Sequence, residues 1–432
     1  METTTATATT ALATNTVRKW RIRLVPFLFA IYVVAFIDRT NIGIAALTMN
    51  RELAIASHQF GLLSGIFFAG YFLFEIPSNY LLHRIGARVW IARILFSWGL
   101  VAVLTGFVQN VPQLYLMRFL LGIAEAGYFP GIILYLTYWC RQREFAQTTA
   151  LLIAGAPISN IVGAPIGGFI LDHVQWWGVS SWRWLLVLEG VPALLFGVAT
   201  YLVLPNRPAD ARFLNADERD WLTAQVRLEE QHKLDVRRHS ALQILRNARV
   251  WYLTLIYFGG MIAGYVLNFW GPQVLAASAP EYSRVTIGLL VMLINLIGLT
   301  VMILVSRSSD RYMERRLHAA MPLFVAGIAL LLTRTPHDPF LTVSLLSLTA
   351  CGYYSFLNPF WALPNQFLTG YSAAIGIALI NSVGNLGGLA GPYTVGAISH
   401  GTGSLHLGLA VCAIPVLLSG FLVAFMRNLR SC

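Results

Sequence analysis

Residues 114–138 read LYLMRFLLGIAEAGYFPGIILYLTY. The run is long and apolar enough to be a membrane-crossing helix, yet it carries Arg118 and Glu125. Their separation of seven residues places them on nearly one helical face, roughly 10 Å apart along the axis. A charge at bilayer depth costs about 2.5–3.5 kcal/mol on insertion scales, so such residues face a partner or a water-filled cavity. Asp38-Arg39 interrupts the first apolar run in the same way. Two arginines and two carboxylates inside apolar helices predict a binding and proton-handling site within a membrane bundle.

The rest of the chain agrees with a membrane protein. Of 432 residues, 57% are hydrophobic and only 11% charged, which excludes an ordinary soluble domain. The net charge of +11 is read as topological, because the basic residues cluster at helix ends. The lipid bilayer, and not nucleic acid, is the expected surrounding. Cys140, Cys351, Cys412 and Cys432 show no paired spacing, hence no disulfide framework and no metal motif. No nucleophile–base constellation appears, so an enzyme is not expected.

Twelve apolar segments stand out, at about 22–48, 58–82, 89–109, 112–138, 146–171, 184–204, 248–274, 284–306, 317–334, 341–363, 371–397 and 405–427. The expected fold is therefore an all-α integral membrane protein of twelve transmembrane helices in two six-helix halves. Residues 1–21, Thr/Ala-rich at their start, are expected as a disordered cytoplasmic tail. They lack the apolar core and cleavage pattern of a removable signal peptide. The first half spans 22–204, a charged cytoplasmic linker 205–247, and the second half with a short tail 248–432. Within the linker, Asn215 to Leu234 reads as a solvated amphipathic helix. Arg and Lys cluster before the first helix, in alternate turns and at the C-terminus, which predicts both termini in the cytoplasm.

The halves echo one another. His83-Arg84-Ile85-Gly86-Ala87-Arg88 follows the second segment, and Asp310-Arg311-Tyr312-Met313-Glu314-Arg315-Arg316 follows the eighth. His83 and Asp310 are 227 positions apart, as are Pro165 and Pro392 in the Gly-rich fifth and eleventh segments. This predicts a tandem repeat of parallel halves, as in many secondary transporters.

At these residues the chain resembles the major facilitator superfamily, with Asp310-Arg-x-x-x-Arg-Arg keeping much of its loop motif and His83 standing where Asp is usual. More narrowly it resembles the anion:cation symporter family. The carrying stretches are Phe36-Ile-Asp-Arg-Thr-Asn-Ile, Gly70-Tyr-Phe-Leu-Phe-Glu-Ile-Pro-Ser-Asn, Arg118-Phe-Leu-Leu-Gly-Ile-Ala-Glu-Ala-Gly and Trp182-Arg-Trp-Leu-Leu-Val-Leu-Glu-Gly-Val-Pro. The resemblance implies transport of organic anions such as tartrate, sugar acids or aromatic carboxylates with protons or sodium. It also implies that Arg39 and Arg118 bind substrate and that Asp38 and Glu125 take the proton.

The residues support that reading independently. An Arg offers a planar fork that grips a carboxylate bidentately and stays charged. The competing explanation is that each Arg merely pairs with Asp38 or Glu125. Burial favours the neutral form of a carboxyl and a nearby Arg the charged form, so anion and proton binding become linked. Tyr71 is a candidate donor to substrate, or a packing tyrosine. Asn381 and Asn385, one turn apart, are candidates for reading substrate hydroxyls, or for bonding across packed helices. Asn268 and Asn358 stand out as further polar positions. Glu75, Arg84, Arg88, Asp310 and Arg311 are assigned gating or structural roles, and Glu189 and Arg93 structural ones. The expected function is proton-coupled import of a small organic anion by alternating access, with no cofactor beyond the coupling proton or sodium. A monomer in a bacterial inner membrane is expected. An antiporter or exporter on the same fold, or a substrate sensor that does not transport, remain as alternatives.

Overall fold

In the computed structural model, residues 2–234, 245–335, 338–364 and 370–426 are described, and among them there is no β-strand. The chain begins with α1, Glu2–Glu52. Then follow α2 Ser57–Ile85, α3 Ala87–Thr105, α4 Val111–Glu125, α5 Tyr128–Thr137, α6 Gln142–Ile153, α7 Gly155–His173 and α8 Ser181–Val203. A short helix, α9 (Ala216–Leu234), precedes the second set: α10 Ala248–Ser278, α11 Arg284–Tyr312, α12 Arg316–Leu332, α13 Pro339–Ala362, α14 Gly370–Asn385, α15 Gly387–Thr402 and α16 Leu405–Ala424.

Ten helical spans among the described residues are long and apolar enough to cross a membrane. The shorter apolar helix α12, and α14 with α15 read as one broken span, complete twelve. In water such apolar exteriors would be excluded, but facing lipid they need only keep their backbone hydrogen bonds internal, which helices do. Phe72, Leu195, Leu304 and Phe421 accordingly point outward.

One expectation is corrected here. Residues 2–21 are helical and continue α1 without interruption. Lys19 pairs at 2.7 Å with Glu218 of α9, Asn15 donates to the same carboxylate at 3.4 Å, and Thr16 and Trp20 are buried. Extending an existing helix avoids the cost of nucleation, and Ala is the best helix former. Low complexity therefore did not mean disorder. Glu218, expected on a solvated face, is likewise buried.

The two sets of helices meet through α2 against α15, α7 against α11, and α1 against α10. The first two contacts are copies of one another. A Cβ on Gly61 would lie 2.6 Å from the Pro392 carbonyl oxygen, and one on Gly288 would lie 2.3 Å from that of Ala164. Gly61 and Gly288 are 227 positions apart, the offset already seen between Pro165 and Pro392. Only glycine lets backbones approach this closely. Both seams lie at the face remote from α9, where Asp172 also accepts from the Val285 N–H at 2.9 Å. The polar residues discussed next lie deeper in the bundle.

Candidate functional site

The segment 112–138, expected as one helix, is broken immediately after Glu125. α4 ends there, Gly127 takes a left-handed conformation (φ +81°), and α5 starts at Tyr128. Ser78 of α2 holds the break, its hydroxyl donating to the Ala126 carbonyl at 2.5 Å while accepting from Trp90 Nε1 at 3.0 Å. A Cβ on Gly127 would fall 2.4 Å from the same hydroxyl oxygen. Broken helices with unwound backbone are a recurrent way to place ion and substrate groups at the middle of a transporter. Milder interruptions, in which the backbone keeps right-handed helical angles, separate α6 from α7 at Ala154 and α14 from α15 at Leu386.

Glu125 forms a buried ion pair with Arg39 of α1. Neighbours on a helix point about 100° apart, so Arg39 reaches across to α4 while Asp38 does not follow it. Asp38 is buried close to the Trp98 indole, with no well-formed hydrogen bond on either oxygen, in the electrostatic surroundings of Glu189, Glu125 and Arg118. Arg118 is equally buried, and its Nε and Nη2 have no partner within the protein. Both guanidiniums lie 5.3 Å from the Phe67 ring, so they are no further apart than twice that distance. Arg39 also lies 5.4 Å from the Tyr71 ring. Buried donors are nearly always satisfied in native proteins. Two cations with spare N–H groups beside an aromatic wall can therefore receive an anionic group.

The opposite wall comes from α10 and α14. Tyr265 donates to Asn385 Oδ1 at 2.9 Å, and Asn385 Nδ2 donates to the Asn381 carbonyl at 2.9 Å. Tyr265 also stands in the electrostatic reach of Arg39, which joins the two walls. Beside it, Glu75 of α2 accepts from Ser382 and, at 3.4 Å, from Asn381 Nδ2. Glu75 thus bridges the two sets of helices. A third polar group links Thr40, Asn160, Asn268, Tyr354 and Asn295 through hydrogen bonds of 2.7–3.5 Å.

Arg39, Arg118, Tyr71, Asp38, Glu125, Asn381, Asn385 and Glu75 are thus gathered in one region. Four other residues singled out in the sequence lie apart from it. Arg88 donates to the Tyr201 carbonyl at 2.6 Å, Arg84 stacks on Tyr80, Asp310 pairs with Arg315 at 2.6 Å, and Arg311 lies over Tyr312. Asn358 turns to Ser306 at 2.9 Å. Sequence reasoning missed Tyr265, Ser382 and Phe67. The first had a signal: the 227-residue offset carries Asp38 onto Tyr265.

The profile described as the Major Facilitator Superfamily matches residues 28–392. The chain belongs to that superfamily, a group of multi-pass membrane transporters and not of enzymes. It is 40% identical over 420 residues to a protein of Agrobacterium vitis named "Putative tartrate transporter", covering 97% of this chain and 93% of that one. It is 35% identical to a protein of Acinetobacter baumannii named "Quinolone resistance transporter", over 95% and 94% of the two chains. A bacterial homologue of the human lysosomal transporter Spinster, solved inward-facing and occupied, superposes with a TM-score of 0.76. That match covers 94% and 96% of the chains at 16% identity, and bears on the fold alone.

Proposed function

We propose that the protein imports a small organic anion together with protons by alternating access, in a bacterial inner membrane with both termini in the cytoplasm. The observation that carries this reading is the pair of buried arginines, each with an N–H group that no protein atom accepts. Arg118 captures a carboxylate of the substrate bidentately. Arg39 is shared: it holds Glu125 when the site is empty and turns to the anion when substrate arrives. A buried carboxylate that loses its cation binds a proton more readily. Substrate and proton therefore favour each other, which is the condition for symport. Tyr71, Tyr265 and Asn385 orient the hydroxyls of a tartrate-like, sugar-acid or aromatic substrate. The seam sealed by Gly61 and Gly288 faces the periplasm, and Glu75 with Ser382 guards the cytoplasmic route.

Uptake of a panel of labelled hydroxy acids, sugar acids and aromatic acids into proteoliposomes, with and without an imposed pH gradient, tests the reading. Accumulation of one class, driven by an inward proton gradient, is expected. The quinolone-resistance relative favours a second reading, outward movement of a drug. Failure of every acid combined with proton-driven extrusion of a quinolone would establish that alternative instead.

A further inference from the structure

Behind the arginine site lies a second buried acid. Residues two apart on a helix point about 200° apart, so Asn41 faces away from Arg39. The residue it faces is Glu189 of α8, whose carboxyl lies close to the Asn41 side chain. Glu189 is 8% exposed, its Oε2 has no hydrogen-bond partner, and among the described residues no Lys or Arg pairs with it.

Glu189 lines a cavity of about 20 Å³ together with Asn41, Ser159, Asn160, Asn268 and Asn295. That volume admits a single water-sized particle. The lining comes from α1, α7, α8, α10, α11 and α13, and so from both sets of helices. Three of its hydrogen-bond donors are already engaged. Asn160 Nδ2 donates to Asn268 Oδ1 at 3.2 Å, Asn295 Nδ2 to the Val291 carbonyl at 2.8 Å, and the Ser159 hydroxyl to the Ala156 carbonyl at 2.6 Å. The Glu189 carboxylate and the second lone pairs of the Asn and Ser oxygens supply the donor set of a hard cation.

The charge count agrees. Asp38, Glu125 and Glu189 share the electrostatic neighbourhood with Arg39 and Arg118, three acids against two cations. Glu75, bound by Ser382 and Asn381, adds a fourth acid and no cation. Asp38 lies within electrostatic reach of Glu189. On α3, Arg93 lies toward the α9 end, beyond the contact of Phe96 with Gly197, whereas Gly190 packs on Ala102. On α7, Asp172 is held at the remote face by Arg284 and the Val285 N–H. A buried carboxylate without a cation is costly, and proteins pair it, let it hold a metal ion or neutralise it.

We propose that this cavity is a monovalent-cation site in which the Glu189 carboxylate and the surrounding side-chain oxygens hold either sodium or a proton. Because both sets of helices line it, occupancy favours the arrangement in which they close together. Its part in coupling rests on the symport reading; the site itself does not.

The test uses the purified full-length protein at neutral pH with no organic anion present. Binding of radioactive sodium is titrated, and infrared spectra of wild type and Glu189→Gln are compared in sodium-free buffer. Sodium occupancy predicts saturable binding of one ion per chain, weakened about tenfold or more in Glu189→Gln through loss of the charged ligand. Proton occupancy predicts no such binding but a protonated-carboxyl C=O band that disappears in Glu189→Gln. Asn268→Ala, which leaves the carboxyl in place, is expected to weaken sodium binding or shift that band. Wild-type protein with neither saturable sodium binding nor a protonated-carboxyl band overturns the proposal without any variant. So does wild-type behaviour of both signals in Glu189→Gln. No transport is measured, so a negative result here leaves the anion-uptake reading standing.

Discussion

The two walls of the central site are made of different chemistry. α1 and α4 contribute Arg39, Arg118, Asp38 and Glu125, all charged types and all buried. α10 and α14 contribute Tyr265, Asn381, Ser382 and Asn385, all neutral. Hydrogen bonds to charged groups contribute about 1.5–3 kcal/mol net, and neutral ones about 0.5–1.5. A wall that holds its ligand strongly thus faces one that makes and breaks bonds at low cost. On the proposed import reading, in which the halves part once per cycle, this asymmetry would keep the anion with the first half and leave the second half free to move.

The largest effect expected from breaking this asymmetry is at the arginines. Arg118→Lys keeps the charge but loses the fork. Losing one charge-assisted bond of that size corresponds to a roughly 10–100-fold fall in affinity. Uptake should nearly vanish while the protein still folds, since a cation still faces the acids. Arg39→Lys should follow in the same direction, more mildly, because Glu125 already occupies part of that fork. Normal affinity in Arg118→Lys would mean that carboxylate capture does not occur there.

Glu125→Gln should sharpen the picture next. On the proposed symport reading, an ionised Glu125 at high pH holds Arg39 and competes with the anion, and a neutral one at low pH releases it. Wild-type binding should therefore weaken as pH rises, by roughly 5–150-fold if the coupling is of typical size. Glu125→Gln should flatten that dependence, keep counterflow exchange and lose accumulation driven by a pH gradient. Accumulation that survives the substitution would transfer the coupling to Asp38 or to the Glu189 cavity.

How much of this was legible in the sequence follows from the range of each effect. Twelve apolar runs and a 227-residue echo are local or periodic, and the helices and the paired Gly61 and Gly288 contacts answer to them. That buried Arg and acid types belong together also follows from cost alone. Which acid takes which arginine does not. Arg118 and Glu125 share a face, yet Arg39 is the partner, because the choice depends on how α1 and α4 cross. The break at Ala126-Gly127 was equally hidden, since Gly is common in unbroken membrane helices and the Ser78 bond that fixes it comes from a distant part of the chain. At the N-terminus, composition misled, because the support for helix came from Glu218, about 200 residues away.

A smaller effect is expected where the two walls touch through Glu75. Ser382→Ala removes one of two donors to a buried carboxylate, and only in the arrangement where the halves meet there. The equilibrium should shift toward the separated arrangement by less than about tenfold, given that Asn381 remains. Cysteine accessibility at positions facing the route past Glu75 should rise in Ser382→Ala with substrate affinity almost unchanged. Unaltered accessibility would show that this bridge does not bias the halves.

The smallest effect should come from the neutral wall itself, and it tests the asymmetry most directly. Tyr265→Phe deletes the hydroxyl that donates to Asn385 Oδ1 while leaving the ring packed at 4.4 Å from Phe68 and 6.0 Å from Phe269. The lost neutral hydrogen bond is worth about 0.5–1.5 kcal/mol, or roughly 2–10-fold in affinity. The Asn385 amide stays tethered to the Asn381 carbonyl, so the wall should keep its shape. KM should rise within that range, the maximal rate should hold, and the pH dependence should be preserved, because the Arg39–Glu125 pair itself is kept. Asn385→Ala should behave alike, and the double variant should add little, since both remove the same bond. A loss approaching that of Arg118→Lys would mean that Tyr265 donates to the anion itself, a reading its proximity to Arg39 makes concrete. The two walls would then share the grip, and the second half could not release without first losing the substrate.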